Sequence, residues 1–155
     1  MLFTGEYEHT IDAKHRLAIP SEVRSRMDPS EHGEALYIGP GPNGHLWLWP
    51  EKTFEKLAAS LEQSLLPGEE SMEFEEMLFS QAARLEIDKA GRVRLPERSL
   101  RWAGLESSVV LLGVRDHLEL RDPTDWYARR EEKLAKQGQI ILRARRAMQE
   151  GHRHE

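Results

Sequence analysis

Residues 11–20 read IDAKHRLAIP and residues 87–96 read IDKAGRVRLP, so a chain of 155 residues writes almost the same ten-residue phrase twice, 76 positions apart. Ile, Asp, Arg and Pro stand at matching places in both copies. The match extends outward. ALYIGPGPNGHLWLWPEKTFEKL (35–57) reads as strand, Gly-rich turn, strand and the opening of a helix. SVVLLGVRDHLELRDPTDWYARREEKL (108–134) reads the same way, with His45-Leu46-Trp47-Leu48 lying over His117-Leu118-Glu119-Leu120 and Phe54 over Trp126. The offset there is 72, because the first copy carries four more residues around Asp28-Pro29-Ser30-Glu31-His32. A repeat of this kind is one supersecondary unit used twice.

Each unit has a legible local pattern. Glu6 to Asp12 alternates Tyr7, His9 and Ile11 against Glu8, Thr10 and Asp12, the period of a strand. A turn is expected at Ala13-Lys14-His15, then a strand from Arg16 to Ile19, ended by Pro20 as its counterpart is by Pro96, since proline cannot donate to a ladder. Pro50-Glu51-Lys52 opens a helix with Phe54, Leu57, Ala58, Leu61 and Leu65 on one face, stopped by Pro67-Gly68. A helix over about Glu70 to Ala83 places Phe74, Met77, Leu78 and Ala82 together. Another starts near Asp122-Pro123 with Trp126 and Leu134 inward, breaks at Gly138 and continues from Gln139 to Gln149, leaving GHRHE as a frayed tail.

The repeated phrase carries chemistry. In the second copy Asp88 can accept hydrogen bonds from the turn backbone and Gly91 can supply positive φ. Arg92 and Arg94 then leave the turn on one face of the strand, with Val93 and Leu95 on the other. The first copy places Arg16 and Ala18 outward, Leu17 and Ile19 inward, and Lys14 in the turn. A hairpin that buries its aliphatic face and presents arginines has the shape and charge of a β-ribbon that enters a DNA groove. The plainer alternative is a turn with a surface ion pair, worth about 0–1 kcal/mol.

Charge distribution favours the first reading. Net charge is −5, yet residues 10–26 hold Lys14, Arg16, Arg24 and Arg26 against Asp12 and Glu22. Residues 88–102 hold Lys89, Arg92, Arg94, Arg98 and Arg101 against Asp88 and Glu97. Residues 51–79, between them, set eight glutamates against two lysines. The repeated segments are therefore the basic ones, and local fields decide what a surface attracts.

On these residues the chain resembles the MraZ family, whose members carry two AbrB-type (SpoVT-AbrB) units in one polypeptide. The resemblance rests on Met1-Leu2-Phe3-Thr4-Gly5, on Asp12-Ala13-Lys14-His15-Arg16 and Asp88-Lys89-Ala90-Gly91-Arg92, and on Trp102-Ala103-Gly104-Leu105. It extends to Val110-Leu111-Leu112-Gly113 and His117-Leu118-Glu119-Leu120, covering about residues 1 to 130. It implies a mainly β fold with peripheral helices: a tandem AbrB-like, swapped-hairpin β-barrel with pseudo-two-fold symmetry. The chain then divides into a first unit with its helix at 1–66, a connecting helix at 67–83, a second unit with its helix at 84–135, and a C-terminal helix and tail at 136–155. It implies a cytoplasmic, nucleoid-associated transcriptional regulator. Such a protein forms a ring-like homo-oligomer on double-stranded DNA, binding short direct repeats upstream of the division and cell-wall gene cluster. By matching position Arg16 and Arg92 are the DNA contacts, joined by Lys14, His15, Lys89 and Arg94, while Asp12, Asp88 and Gly91 shape the hairpins. Two positions depart from the family pattern. His15 stands where glycine is the rule, so either the first turn has another geometry or His15 is held by DNA; Arg94 is an added cation.

Other function classes find less support. The chain has no cysteine, no Gly-x-Ser-x-Gly elbow, no P-loop and no dinucleotide fingerprint, so neither catalysis nor a cofactor nor a small-molecule substrate is expected. His9, His32, His45 and His117 stand singly, and His152-x-His154 lies in the tail, so no metal site is expected. The start of the chain carries no export signal, and no apolar run reaches the roughly 20 residues of a membrane span. Trp47 and Trp49 alternate with Leu46 and Leu48, so one of those pairs faces outward, and the ring assembly that the resemblance implies puts part of that segment in a subunit interface. The rival reading is an antitoxin-like protein-binding module that grips a partner with residues 123–150 through Arg143, Arg145 and Arg146.

Overall fold

The computed structural model describes residues 1–61 and 65–153. The chain forms two compact units, 1–122 and 123–155. In the larger unit the first copy of the repeat supplies β1 (Glu6–Thr10), β2 (Arg16–Ala18), α1 (Ser21–Ser25), α2 (Pro29–His32), β3 (Ala35–Pro40), β4 (Leu46–Pro50) and α3 (Glu51–Ser60). After α4 (Glu69–Gln81), the second copy supplies β5 (Ala83–Glu86), β6 (Arg92–Arg94), α5 (Glu97–Ala103), β7 (Ser108–Val114) and β8 (His117–Arg121). The smaller unit is two helices, α6 (Pro123–Ala135) and α7 (Gln137–Arg153).

The halves interleave. A six-stranded antiparallel sheet runs β1-β7-β8-β4-β3-β5, and β2 pairs with β6 in a separate two-stranded ribbon. Strand β1 of the first half pairs with β7 of the second, and the equivalent β5 pairs with β3 of the first. Two pairings join equivalent strands to each other: β4 with β8, centred on Trp47 opposite Glu119, and β2 with β6, centred on Leu17 opposite Val93. The pseudo-two-fold axis passes through those two residue pairs. The architecture is the mainly β, swapped-strand one that the resemblance implies, with one refinement: β1 and β5 end the sheet and, among the described residues, no ladder joins sheet to ribbon, so the barrel stays open.

What closes the core is side-chain packing. Leu17 and Val93, exposed by 0% and 1%, point from the ribbon into the same cluster as Leu36, Ile38, Leu46, Leu48, Leu111, Leu118 and Leu120 of the sheet. The alternation of β4 sends Leu46 and Leu48 into that cluster. Trp49, on the opposite face, packs with Phe54 of α3 and Leu78 of α4, with Tyr37, Trp47 and Ala82 at the margin. Helices of the same chain thus cover Trp49, while Trp47 stays half-buried.

Several local expectations shift. The first strands stop short, at Thr10 and Ala18, and the four extra residues of the first copy fall at α2, with Asp28 Oδ1 capping it through Ser30 N at 2.9 Å. Helix α3 ends at Ser60, and Leu65, expected on its apolar face, is fully exposed. Of the α4 face only Leu78 is buried; Phe74 and Met77 remain 43% and 48% exposed, and Ala82 lies past the helix end. In the smaller unit no residue of either helix is buried, Leu134 is exposed, the break falls at Lys136 rather than Gly138, and helix continues through Gly151 to Arg153. A helix is not ended by glycine alone when nothing else terminates it, because Gly costs only about 1 kcal/mol in a helix interior. His154 lies outside the described residues.

Candidate nucleic-acid interface

Each repeated phrase folds into a turn built around its aspartate. Asp12 Oδ1 accepts the backbone N–H of Lys14 at 2.9 Å and of Arg16 at 2.8 Å, and Oδ2 accepts Arg16 Nε at 2.7 Å. In the second turn Asp88 Oδ1 accepts the N–H of Ala90 and of Arg92, both at 2.9 Å, and Oδ2 accepts Arg92 Nε at 3.1 Å. The main-chain bonds also match: His15 N donates to Asp12 O at 3.0 Å, and Gly91 N donates to Asp88 O at 2.9 Å. The turn residue before each arginine is left-handed, His15 at φ 62° and Gly91 at φ 78°. The first turn therefore has the geometry of the second, and His15 adopts a conformation that costs a non-glycine residue about 1–2 kcal/mol. The N–H donors gathered on each aspartate, foremost those of Arg16 and Arg92, hold both carboxyls below their usual pKa.

The outer face of the ribbon collects the cations. Register sets Arg16 directly opposite Arg94 and Ala18 opposite Arg92, so three guanidinium groups share a ribbon three residues long. Arg16 and Arg92 are half-buried and oriented through Nε by their aspartates, while Arg94 is exposed. Lys14 and Lys89 are exposed on the two turns and His15 is half-buried. Like charges directly opposite in a ladder are destabilising unless something anionic lies over them. Among the described residues the side chains of Lys14, Lys89 and Arg94 and the terminal nitrogens of Arg16 and Arg92 make no hydrogen bond or ion pair. The structure thus brings the cationic residues expected from sequence onto one surface, at one end of the pseudo-two-fold axis.

Two features were not singled out in the sequence. Arg24 of α1 lays its guanidinium over the second turn, donating from Nε to Ile19 O at 3.0 Å; its only sequence signal is membership of a basic stretch. At the other end of the axis, His117 sits between Asp116 Oδ1 at 2.9 Å and Glu119 Oε2 at 3.2 Å, stacked on Trp47 with ring centroids 3.6 Å apart. Burial pushes the Glu119 carboxyl up, but hydrogen bonds from His117 and Asn43 outweigh that and hold it low. The cluster locks the β4–β8 pairing from within. Among the described residues no three His, Asp or Glu side chains gather as metal ligands, and no helix is long and apolar enough to cross a membrane.

Comparison with known proteins agrees with the geometry. The sequence model of a family described as "MraZ protein, putative antitoxin-like" matches residues 2–73 and 78–145, one stretch for each half. A protein named transcriptional regulator MraZ from Roseiflexus castenholzii is 35% identical over 125 residues, 81% of this chain and 84% of that protein. Proteins of the same name from Acetivibrio thermocellus and Lactiplantibacillus plantarum are 32% and 33% identical over the same share of this chain.

Proposed function

The chain belongs to the MraZ family, and from that premise we propose that it is a DNA-binding transcriptional regulator whose two Asp-x-x-x-Arg turns are its reading heads. The observation that carries this is the ribbon: Arg16 and Arg92, each aimed by its own aspartate, flank the axis on one cationic face with Arg94. A two-stranded ribbon fits the major groove, where arginine pairs with guanine edges or with phosphates. Lys14, His15 and Lys89 extend that contact, while Asp12, Asp88 and Gly91 set its shape. The division into units at 1–66, 67–83, 84–135 and 136–155 belongs to the same reading. So do a cytoplasmic, nucleoid-associated location and short direct repeats upstream of the division and cell-wall gene cluster as targets. The protein acts by binding, without catalysis, cofactor or small-molecule substrate.

One ribbon on an acidic subunit is a modest anchor. A ring-like homo-oligomer supplies several, and linked contacts add through effective concentration. The exposed Met77 and Trp102, which line one groove, offer apolar surface for such assembly.

The test is anisotropy of labelled duplex across a salt series. Wild type is expected to lose affinity with salt at about 0.9 log units per phosphate contact, and Arg16→Ala or Arg92→Ala to erase preference for the target over random duplex. The rival reading, an antitoxin-like module, draws on α7, which displays Ile141, Leu142 and Met148 beside Arg143, Arg145 and Arg146. It predicts that removing residues 123–155 abolishes function while Arg16→Ala leaves it intact. DNA binding predicts the reverse.

A further inference from the structure

The two turns share a backbone but not a neighbour. Ile19 N donates to Gly91 O at 2.9 Å and Leu95 N donates to His15 O at 2.8 Å, so each left-handed turn residue is gripped by a strand end of the other half. Beyond those strand ends lie α1 and α5, in which Arg24 and Leu100 are equivalent at the 76-residue offset. A Cβ placed on Gly91 would stand 2.6 Å from Arg24 Cζ and 2.7 Å from its Nε. The guanidinium occupies the space that glycine leaves. Since His15 reaches φ 62° without being glycine, positive φ alone does not require Gly91; what glycine adds is room for Arg24 to lie against the turn.

At the first turn both partners are exchanged. His15 puts a Cβ where a guanidinium would have to lie, and Leu100, buried at 8%, stands where the counterpart of Arg24 would be. A cavity of about 460 Å³ opens there instead, lined by Asp12, His15, Leu100 and Leu105, with Arg101 at its wall paired to Glu97 at 3.0 Å rather than to the turn. The second turn is clamped by a cation from the other half. The first is not.

We infer that the two turns are unequal reading heads, the second preset by Arg24 acting on Gly91 as a positioning residue and the first left to adapt, so that each chain engages its DNA element in one orientation. The inference rests on the DNA-binding reading. Were the heads identical, rotation about the pseudo-two-fold axis would return the same surface, and both orientations would bind equally well. A preset head offers one fixed geometry and an adaptable head conforms to what it meets, so a DNA element whose two halves differ is matched better in one orientation than in the other. Arg94, whose first-half equivalent is Ala18, adds to the difference.

The absence of cysteine makes the test direct. Ala13→Cys and Ala90→Cys, both at exposed turn positions, each carry an iron-chelate cleavage reagent, and the full-length proteins are bound to a duplex selected from a random pool by wild type. Each position is expected to cut one flank of the element over the other by about fivefold or more, with opposite flanks for the two positions; fivefold corresponds to about 1 kcal/mol between orientations. The variant His15→Gly/Leu100→Arg, which gives the first turn the partners of the second and is checked for folding by its thermal melt because Leu100 belongs to the core, is expected to reduce that ratio by about threefold, and Arg24→Ala, which releases the second turn without touching the core, is expected to reduce it likewise. Equal cutting of both flanks by either wild-type-derived position overturns the inference while leaving DNA binding standing. An unchanged ratio in the double variant overturns the role of Arg24 and Gly91. Failure of the pool to yield any preferred duplex overturns the DNA-binding reading and the inference with it.

Discussion

The first and second turns make the same hydrogen bonds with different residues at the critical backbone position. Asp12 and Asp88 each collect two backbone N–H groups and one arginine Nε, and the main-chain bonds across the turns agree to 0.1 Å (3.0 and 2.9 Å). Yet one turn runs through histidine and the other through glycine. The carboxylate therefore defines the turn. The residue in the left-handed position decides what else can approach it.

The largest expected effect tests whether the two halves share one ribbon. Leu17 and Val93 face each other on the axis with no exposure to speak of, so Leu17→Ala is expected to cost about 2–5 kcal/mol and Val93→Ala somewhat less, read as urea midpoints. If either substitution were tolerated, the halves would be packed independently and the comparison of turns would lose its basis. An intermediate effect separates the turns themselves. Gly91→Ala is expected to destabilise by about 1–2 kcal/mol through its left-handed backbone and by displacing Arg24, while His15→Gly at the equivalent position relieves strain and stabilises by up to about 1 kcal/mol. Equal signs in thermal melts would show that the turns differ elsewhere.

The smallest effect concerns what they have in common. Both aspartates have pKa values depressed in the folded protein relative to the unfolded chain, so their contribution is complete above the ordinary value of 3.8 and is lost as pH falls through the folded value. Urea midpoints measured from about pH 6 to about pH 3 are expected to fall less steeply in Asp12→Asn and in Asp88→Asn than in wild type, by similar amounts. A marked difference between the two would show that His15 changes the electrostatics of its turn as well as its backbone.

Much of this was open to reading in the chain. Alternation in Glu6–Thr10 and the Asp-to-Arg spacing of the turns are local signals, decided within a few residues by strand pleat and by carboxylate-to-backbone hydrogen bonds. So the strands, the turns and the cationic set emerge from the repeat alone. Helix faces were harder. Phe74 and Met77 share a period with Leu78, but period marks only a common face and cannot state that something covers it. The tryptophans of β4 show the same limit: their alternation is legible in the chain, but that Trp49 packs under Phe54 of α3 and Leu78 of α4 is not.

Reading along the chain is enough to find that one unit is used twice, that each copy carries an aspartate-built turn bearing an arginine between its first two strands, and that the family is MraZ, because each of these depends on residues near one another or on direct comparison of two stretches. Folding in three dimensions is what makes equivalent strands meet on an axis, sets Arg16 opposite Arg94, and brings Arg24 to Gly91 while Leu100 leaves the first turn open. Those outcomes join residues from different halves of the chain. No local propensity encodes them, since strand pairing across the swap is chosen by the burial of both halves in one core.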